Sequence, residues 1–427
     1  MRFDNVADWL AYQESLNVKT IDLGLERVNT VYQRLHLTPH WRTVVSVAGT
    51  NGKGSCVAML TSILTHGGYQ VGTYTSPHLF RYNERISLNG RPVDDAILCD
   101  AFAQVEAARG DIALTYFEFG TLAALAVFAQ APLDAVVLEV GLGGRLDAVN
   151  IVDPDVALIT ALDVDHVEWL GPDRESIARE KAGIMRPGKP VVCIDPDPPR
   201  SLLATAQGMG AEAYCLNHAF TCQDMQNGFW NWQYDEQPAV NYPYPALPGE
   251  FQLQNAAGVI MCLQLLKACL PIDEGSTAEG LRKTFLPGRF QVIPGKVTRI
   301  FDVAHNVQAA QALAHSLKDL PCRGRTYAVM GMLKDKAIAE VARAMQPVID
   351  GWYVGPVEAP RTASMEYLLE QLNCGTQLES DRIAAFPSIA AAYSAANKQA
   401  ADGDRIVVFG SFYTVAAILP LAQKISV

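Results

Sequence analysis

The chain has 427 residues, 49% of them hydrophobic and 19% charged, so it can bury the cores of about two domains. Its net charge of -11 and its lack of any Lys- or Arg-rich run argue against a nucleic-acid partner, which needs a basic surface. Nine scattered cysteines without a C-x-x-C pair argue against a disulfide framework or a structural zinc site.

The first 16 residues lack the apolar segment of a signal peptide, because Asp4, Asp8 and Glu14 interrupt them. The longest uncharged apolar stretch, Phe119–Leu133, is shorter than the ~20 residues that a membrane helix needs. We therefore expect a cytoplasmic protein that does not associate with a membrane.

The first half of the chain alternates short apolar runs with helical patterns. The runs predicted as strands are Thr43–Ala48, Gln70–Thr75, Leu133–Val140, Asp155–Ala161 and Lys189–Ile194. The patterns predicted as helices are Ser55–Gly67, Phe117–Ala129 and Leu253–Leu270. Continuous apolar strands that alternate with helices are typical of a parallel sheet covered on both faces. We therefore predict an α/β fold with a mainly parallel, P-loop-type sheet.

Residues 215–251 interrupt this alternation, because they are rich in Trp, Tyr, Asn and Pro and have no helical period. Short strands are predicted there, including Phe229–Tyr234. The alternation restarts after Leu286-Pro287-Gly288, with predicted strands at Arg299–Val303, Thr326–Met332, Gly351–Val354 and Ile406–Phe409. We predict two domains, residues 1–287 and 288–427, the second being a smaller Rossmann-like α/β domain.

A glycine-rich turn, Gly49-Thr50-Asn51-Gly52-Lys53-Gly54-Ser55, follows the first strand. Such a turn can point several N–H groups into one concavity, and the next helix adds positive potential. Lys53 would reach the phosphates of a nucleotide, and Ser55 could approach its metal. The strict G-x-x-x-x-G-K-[ST] spacing is not met, and an ordinary βα turn is the alternative. The strand–turn–helix setting, the lysine and the hydroxyl favour phosphate binding.

Three further polar residues, Ser76, Glu139 and His166, lie at or just after the ends of predicted strands, where open α/β sheets bind ligands. Together they could hold magnesium, which prefers oxygen ligands. For His166 the alternative is a loop residue that only makes hydrogen bonds. Glu139 ends an apolar strand, where a buried carboxylate needs a cation partner. Composition alone does not distinguish Lys181 from an ordinary solvated helix lysine.

Eight segments resemble, in order, the landmark motifs of the folate ligase branch of the Mur ligase superfamily, the bifunctional dihydrofolate synthase/folylpolyglutamate synthases. They are Thr50–Ser55, Thr75–Leu79, Tyr116–Phe119, Glu139–Asp147, Asp165-His166, Glu180–Ile184, Leu286–Phe290 and Asp302–Asn306. They span nearly the whole chain and are together far more specific than any single motif. One departure is Val303, where the family often has Gly.

The resemblance implies a role for each matching residue. ATP contacts would come from Asn51, Gly52, Lys53, Gly54, Ser55, Asn255, Arg289 and Asp302. Magnesium ligands would be Ser76, Glu139 and His166. Lys181 matches a lysine that is carbamylated in the family, which would turn a cation into a metal-binding carboxylate. Lys53, Lys181 and His166 would be the catalytic residues.

The substrate contacts are also implied by the resemblance. The segment Thr20–Val28 resembles the part that binds dihydropteroate in bifunctional bacterial members, and the implied pterin contacts are Thr20, Ile21, Asp22, Leu23, Thr115, Tyr116, Phe117 and Glu118. Asp22 suits the pterin ring, because a carboxylate can accept paired N–H bonds. The alternative for Asp22 is a helix cap. His305 and Ser411 are candidates for the glutamate pocket, and the alternative for Ser411 is again a cap.

The activity that the resemblance implies is ATP-dependent addition of L-glutamate to 7,8-dihydropteroate and to reduced folates through an acyl phosphate. It also implies a monomer that binds small molecules. A ligase without the dihydropteroate step is one alternative, and an ATP-binding module without ligase activity is another. A peptidoglycan-type Mur ligase is disfavoured, because the 48 residues before Gly49 are too few for a nucleotide-sugar domain.

Overall fold

The structure is a computed structural model that describes residues 2–17, 19, 21–249, 251–376 and 382–425. The chain forms two compact units. The first comprises residues 1–246 and 252–285, and the second comprises residues 247–251 and 286–427. Each unit contains a mainly parallel sheet with helices, which confirms the predicted fold class.

An eight-stranded sheet lies at the centre of the first unit. Its strands are β1 (Thr43–Ala48), β2 (Val71–Tyr74), β3 (Ile86–Leu88), β4 (Arg91–Pro92), β5 (Ala135–Glu139), β6 (Val156–Ile159), β7 (Pro190–Cys193) and β8 (Glu212–Cys215). Their order is β4-β3-β2-β5-β1-β6-β7-β8, and only β3 and β4 are antiparallel to their neighbours. Every residue of β1, β2, β5 and β6 is buried, as expected for strands covered on both faces.

The helices of the first unit contribute further buried residues to its core. They are α1 (Val6–Leu16), α2 (Glu26–Arg34), α3 (Lys53–His66), α4 (Asp95–Arg109), α5 (Tyr116–Ala129), α6 (Val167–Leu170), α7 (Arg174–Ala182), α8 (Arg200–Met209), α9 (Phe251–Leu265) and α10 (Glu274–Lys283). Helix α5 is apolar on all sides and buried along most of its length, so it is a core helix. Within the described ranges, no helix is both long and apolar enough to cross a membrane.

A small antiparallel sheet interrupts the strand–helix alternation where the composition changes. Its strands are β9 (Phe220–Asp224), β10 (Phe229–Tyr234) and β11 (Val240–Pro243), with β10 in the middle. The bounds of β10 confirm the predicted strand in this segment. The indoles of Trp230 and Trp232 donate hydrogen bonds to the carbonyls of Pro243 and Ala257, which satisfies both buried N–H groups.

Helices α3 and α10 pack closely because α10 has a glycine at the contact. A Cβ atom at Gly280 would lie 2.5 Å from the Cα atom of Ile63 on α3, and backbone cannot easily give way. We expect Gly280→Ala to lower the free energy of unfolding by about 1–3 kcal/mol. Urea denaturation measures this change.

Gly208 supplies the matched control, because it lies in exposed helix α8 with open space around its Cα atom. There the better helix propensity of alanine should raise stability by up to about 1 kcal/mol. Equal effects of the two substitutions would show that the contact between α3 and α10 is not tight.

The second unit has a six-stranded sheet. Its strands are β12 (Gln291–Ile293), β13 (Thr298–Phe301), β14 (Thr326–Met330), β15 (Gly351–Val354), β16 (Ile383–Ala385) and β17 (Arg405–Phe409), in the order β12-β13-β17-β14-β15-β16. Only β12 is antiparallel to its neighbour. The helices are α11 (Val307–Asp319), α12 (Ile338–Met345), α13 (Met365–Thr376), α14 (Ile389–Gln399) and α15 (Phe412–Ile425).

The nine cysteines are all free thiols, as the sequence predicts. Five of them are buried: Cys56, Cys99, Cys193, Cys215 and Cys262. Two are exposed, Cys269 in the first unit and Cys374 on α13 of the second.

Candidate active site

Four neighbouring strands of the first unit end at the same edge of the sheet. Strand β5 lies between β2 and β1, and β1 lies between β5 and β6. In this register Val47 is opposite Glu139, and Ala48 is opposite Ile159. The segments that follow β2, β1 and β6, together with the end of β5, therefore bring the predicted phosphate loop, Ser76, Glu139 and His166 to one edge.

The phosphate loop has a backbone that only glycine adopts easily. Gly49 and Gly52 have φ values of +149° and +95°. A Cβ atom at Gly49 would lie 1.8 Å from Oγ1 of Thr160, so no side chain fits there. Helix α3 begins at Lys53, directly after Gly52, and no side chain caps it. Its first N–H groups are thus arranged as in a phosphate-binding helix terminus.

The side chains of the loop lie close to one another and to helix α9. Nζ of Lys53 donates hydrogen bonds to the carbonyls of Gly49 and Thr50 at 3.0 and 3.2 Å. The hydroxyl of Ser55 is buried and accepts a hydrogen bond from Gln252 at 3.3 Å. Asn255 is also buried, and its amide lies against Gly52, where a Cβ atom would be 2.7 Å from Oδ1. The structure therefore brings Asn255 to the predicted phosphate loop.

Lys181 differs from the solvated helix lysine that composition alone favours. The residue is 5% exposed, and Nζ donates a hydrogen bond to the carbonyl of Gly49 at 2.8 Å. Burial, reinforced by the nearby Lys53, lowers the pKa of Lys181 to about 7, although Asp165 and Asp147 oppose the shift. The backbone of α7 at this position packs tightly against the turn after β5, since a Cβ atom at Gly144 would lie 2.8 Å from the carbonyl oxygen of Glu180.

Ser76 and Glu139 form the oxygen-rich part of the edge. Glu139 is 5% exposed, and its Oε2 accepts a hydrogen bond from the N–H of Ser76 at 3.2 Å. His166 has a left-handed backbone, and its side chain is 38% exposed. In the part of the chain that the structure describes, no three His, Cys, Asp or Glu side chains form a ready-made metal cage. Adjacent hydroxyl and carboxylate groups still fit magnesium, since this ion keeps waters and phosphate oxygens as ligands.

Two of the predicted pterin contacts, Asp22 and Glu118, pair with Arg27, a residue that was not predicted to belong to the site. Nη1 of Arg27 lies 2.7 Å from Oδ2 of Asp22, and Nη2 lies 3.2 Å from Oε1 of Glu118. Glu118 also accepts the N–H of Thr115, which closes a capping box at the start of α5. Asp22 is not a helix cap, because α2 begins at Glu26 with Leu25 as its N-cap.

The other predicted pterin residues lie nearby along the chain. Ile21 and Leu23 are half-buried next to Asp22, whereas Thr20 lies outside the described residues. The Phe117 ring packs on the turn after β5, since a Cβ atom at Gly141 would lie 2.5 Å from it. The start of α5 thus connects the candidate pterin residues to the strand that carries Glu139.

A buried arginine that sequence reasoning missed pairs through its backbone with Thr75, the residue before Ser76. Arg85 is 9% exposed, and its guanidinium lies 5.1 Å from the ring of Tyr82 and 5.5 Å from the ring of Tyr116. Its Nε donates a hydrogen bond to Nδ1 of His78 at 2.9 Å. Burial and the nearby Arg85 charge lower the pKa of His78 to about 4. No local sequence pattern distinguished Arg85 from a solvated arginine.

The predicted residues of the second unit form a cluster of their own. Asp302 is half-buried. Its carboxylate accepts hydrogen bonds from the backbone N–H groups of Phe290 and Ala304, both at 2.8 Å. Desolvation raises its pKa, against the attraction of Arg289. The guanidinium of Arg289 lies 5.0 Å from the ring of Phe412. His305 lies 6.3 Å from the same ring.

Ser411 is buried and caps helix α15, as the alternative interpretation has it. Its hydroxyl accepts the N–H of Thr414 at 3.0 Å and lies 2.8 Å from the hydroxyl of Thr414.

Comparison with known proteins gives matches over nearly the whole chain. The profile of the Mur ligase middle domain matches residues 47–263, and that of the Mur ligase glutamate ligase domain matches residues 288–412. The dihydrofolate synthase/folylpolyglutamate synthase of Escherichia coli K12 is 46% identical over 418 residues, 97% of this chain and 94% of the relative.

Solved structures agree with these sequence matches. E. coli FolC in complex with DHPP and ADP is 44% identical and has a TM-score of 0.92, with 99% of both chains covered. A bifunctional folylpolyglutamate synthase/dihydrofolate synthase with Mn, AMPPNP and L-glutamate bound is also 44% identical, with a TM-score of 0.90 and 98% of both chains covered.

Proposed function

The chain belongs to the dihydrofolate synthase/folylpolyglutamate synthase family of Mur ligases, and we propose that it adds L-glutamate to 7,8-dihydropteroate and then to reduced folates, using ATP. The observation that carries this proposal is the shared edge of four strand ends. There the phosphate loop, Lys181, Ser76 and Glu139 lie together. Open α/β sheets bind their ligands at such an edge.

The reaction needs an activated acid, because a carboxylate does not form an amide spontaneously in water. An oxygen of the acid's carboxylate attacks the γ-phosphorus of ATP, the bond to the β–γ bridging oxygen breaks, and ADP leaves. The amine of glutamate then attacks the acyl carbon of the acyl phosphate. Inorganic phosphate leaves, and the amine releases a proton. Neutralising the phosphate charge is the main task of the protein in the first step.

The phosphate loop performs this task with backbone and side chain. The N–H groups at the start of α3, in the loop Asn51–Ser55, bind phosphate oxygens, and Lys53 adds a positive charge. Nζ of Lys53 donates hydrogen bonds to two neutral carbonyls of the loop. A bound phosphate would replace these carbonyls with a charged acceptor, which forms a stronger hydrogen bond with the ammonium group. Asn255 lies against Gly52 and is suited to contact the nucleotide.

A divalent metal is part of the proposal, and Ser76, Glu139 and His166 would hold it. Magnesium, when bound, neutralises phosphate charge and fixes the geometry of the transferred group. The buried Glu139 carboxylate fits this role, because a buried carboxylate is stabilised by a cation. Manganese in a related structure at 44% identity supports the use of a divalent metal.

Lys181 is proposed to carry a carbamate. The reaction needs a neutral amine, which attacks carbon dioxide and loses a proton. The burial of Lys181 and its hydrogen bond to the carbonyl of Gly49 support this proposal, because the amine lies beside the phosphate loop. The product is a carboxylate, which could bind the same metal.

The second unit contributes further proposed contacts. Arg289 and Asp302 would bind ATP, and His305 would contact glutamate. Arg289 and His305 both lie near the ring of Phe412, and the charges of both residues act on Asp302, which supports a common site. The hydroxyl of Ser411 accepts the N–H of Thr414 at the start of α15. A hydroxyl has a further lone pair and its own hydrogen, so we propose Ser411 together with His305 as a glutamate contact. We further propose a cytoplasmic monomer that binds only small molecules. Light scattering of the purified protein would test its mass.

Asp22 is proposed to bind the pterin ring. We expect Asp22→Asn to raise the KM for dihydropteroate about tenfold or more, because charged hydrogen bonds contribute about 1.5–3 kcal/mol. The variant keeps the shape of the side chain but loses the charge that pairs with Arg27. The KM for ATP should not change. Asp235→Asn, in an exposed turn after β10, is the control. An unchanged KM for dihydropteroate would exclude Asp22 from the pterin site.

The function itself is tested by phosphate release from ATP in the presence of magnesium and glutamate. Stimulation by 7,8-dihydropteroate, with dihydrofolate as the product, would establish the synthase step. Stimulation by tetrahydrofolate alone would leave a glutamate-adding ligase without that step. No stimulation by either acid would favour an ATP-binding module and would overturn the proposal.

A further inference from the structure

In the part of the chain that the structure describes, Arg85 is a buried charge without a protein counter-charge. The residue is 9% exposed, and its side chain donates one hydrogen bond, to His78, and lies beside two aromatic rings. Among the described residues, none offers it a carboxylate. The neighbouring carboxylate of Glu84 accepts the N–H groups of residues 79, 80 and 81 instead. A buried guanidinium without an anion is costly, so an anionic ligand would stabilise it.

The hydrogen bond to His78 determines which donors remain available. A guanidinium cannot accept a hydrogen bond, so Nδ1 of His78 must be the acceptor, and Nε2 must carry the hydrogen. Nε of Arg85 is used by this bond, which leaves the Nη1 and Nη2 edge. That edge can bind a carboxylate through two parallel hydrogen bonds. The rings of Tyr82 and Tyr116 hold the guanidinium plane in place.

The position of Arg85 indicates which anionic group of a substrate its guanidinium would bind. Its carbonyl accepts the N–H of Thr75 at 2.8 Å, one residue before Ser76, so its backbone lies beside the proposed metal ligand. Its guanidinium lies near Tyr116, at the start of the helix that carries the proposed pterin contacts. The group of the substrate that must lie between the pterin ring and the γ-phosphate is the carboxylate that reacts.

We propose that Arg85 binds the reacting carboxylate of the acid substrate, with the Nε2–H group of His78 as a second donor. This inference rests on the proposed function and adds a residue that recognises the acid. The pair holds one carboxylate oxygen available for attack on the γ-phosphorus. When the acyl phosphate forms, the same donors remain beside its carbonyl and phosphate oxygens.

The test compares the acid with a neutral analogue. We expect the wild-type protein to bind 7,8-dihydropteroate about 10–100-fold more tightly than its carboxamide, measured by calorimetry, because charged hydrogen bonds are lost with the amide. Arg85→Gln should reduce this preference to nearly one. Arg85→Lys should retain part of it, since the charge remains but the paired geometry is lost.

Steady-state kinetics identify the substrate whose anion is bound. Arg85→Gln should raise the KM for dihydropteroate about tenfold or more and leave the KM values for ATP and glutamate within about threefold. A rise confined to glutamate or ATP would overturn the inference, because the anion would then belong to that substrate. Arg81→Gln is the matched control, since Arg81 lies four residues away and is 67% exposed.

Stability separates a binding role from a structural one. Removing an unpaired buried charge should leave the ligand-free Arg85→Gln variant at least as stable as the wild type in urea, and dihydropteroate should stabilise it less. A variant that is less stable yet keeps the preference for the acid would overturn the inference. If the wild-type protein does not ligate dihydropteroate, the proposed function fails first. If it does, and Arg85→Gln still prefers the acid, only this inference fails.

Discussion

Lys53→Ala is expected to lower kcat for ATP-dependent ligation about 100- to 1000-fold, the usual effect of removing one donor that stabilises a charged transition state. Nζ of Lys53 lies within 3.2 Å of two carbonyls of the phosphate loop, so the charge is already directed at the phosphate site. Alanine leaves the helix terminus and the glycine backbone intact. Phosphate release at saturating ATP and dihydropteroate measures the effect.

The control for Lys53 is another lysine of the first unit. Lys189 lies directly before β7, at the opposite end of the strands, and pairs with Asp155 on the surface. Lys189→Ala should retain the wild-type kcat. Full ligation by Lys53→Ala would mean that the loop binds phosphate through its backbone alone or does not bind it.

Lys181→Met is expected to make the protein more stable and inactive. The difference between the usual lysine pKa of 10.5 and the value of about 7 in the folded protein corresponds to roughly 5 kcal/mol of lost stability at pH 7 and below. Methionine has a similar shape without the charge, but it loses the hydrogen bond to Gly49, worth about 1 kcal/mol. We expect a net gain of about 2–4 kcal/mol at pH 6 in bicarbonate-free buffer.

The direction in which the free energy of unfolding changes with pH shows whether the buried charge of Lys181, rather than a general change in packing, causes the gain in stability. Between pH 7 and 10.5 the unfolded chain keeps a proton on Lys181 that the folded chain has lost. The stability of the wild type should therefore rise with pH in this window, whereas Lys181→Met should lack the rise. The difference between the two proteins shrinks towards pH 10. Urea denaturation at pH 6 and pH 9 measures it, and a destabilised variant at pH 6 would contradict the prediction.

The proposed carbamylation of Lys181 is tested with the same variant. If the lysine carries a carbamate, removing carbon dioxide and bicarbonate should lower the ligation rate of the wild type, and adding bicarbonate should restore it. Lys181→Met should have a low rate that bicarbonate does not change. A wild-type rate that is independent of bicarbonate, with no carbamate signal in carbon-13 NMR, would exclude the modification.

The central strands could be predicted from the sequence with almost the correct bounds. Thr43–Ala48, Phe229–Tyr234 and Gly351–Val354 agree with the structure at both ends. Continuous apolar runs bounded by glycine or polar turns leave little freedom for a buried strand. The short edge strands β3 and β4 were not predicted, because a run such as Ile86-Ser87-Leu88 is too short and too polar to indicate a strand.

Burial of charged residues could not be predicted from any local pattern. Lys181 belongs to a helix with the sequence RESIAREKA, which resembles a solvated helix, but its backbone packs tightly against Gly144 in the turn after β5. Arg85 was missed for the same reason. The proximity of Ser76 and Glu139 depends on β2 and β5 being neighbours, although the residues are 63 positions apart in the chain.

The two exposed thiols offer a way to follow movement without engineering the chain. Cys269 and Cys374 belong to different units, and five of the other cysteines are buried. Maleimide dyes should therefore attach first at these two positions and form a donor–acceptor pair for energy transfer. The transfer efficiency, recorded before and after the addition of nucleotide and acid, would report how far each substrate changes the distance between the two dyes.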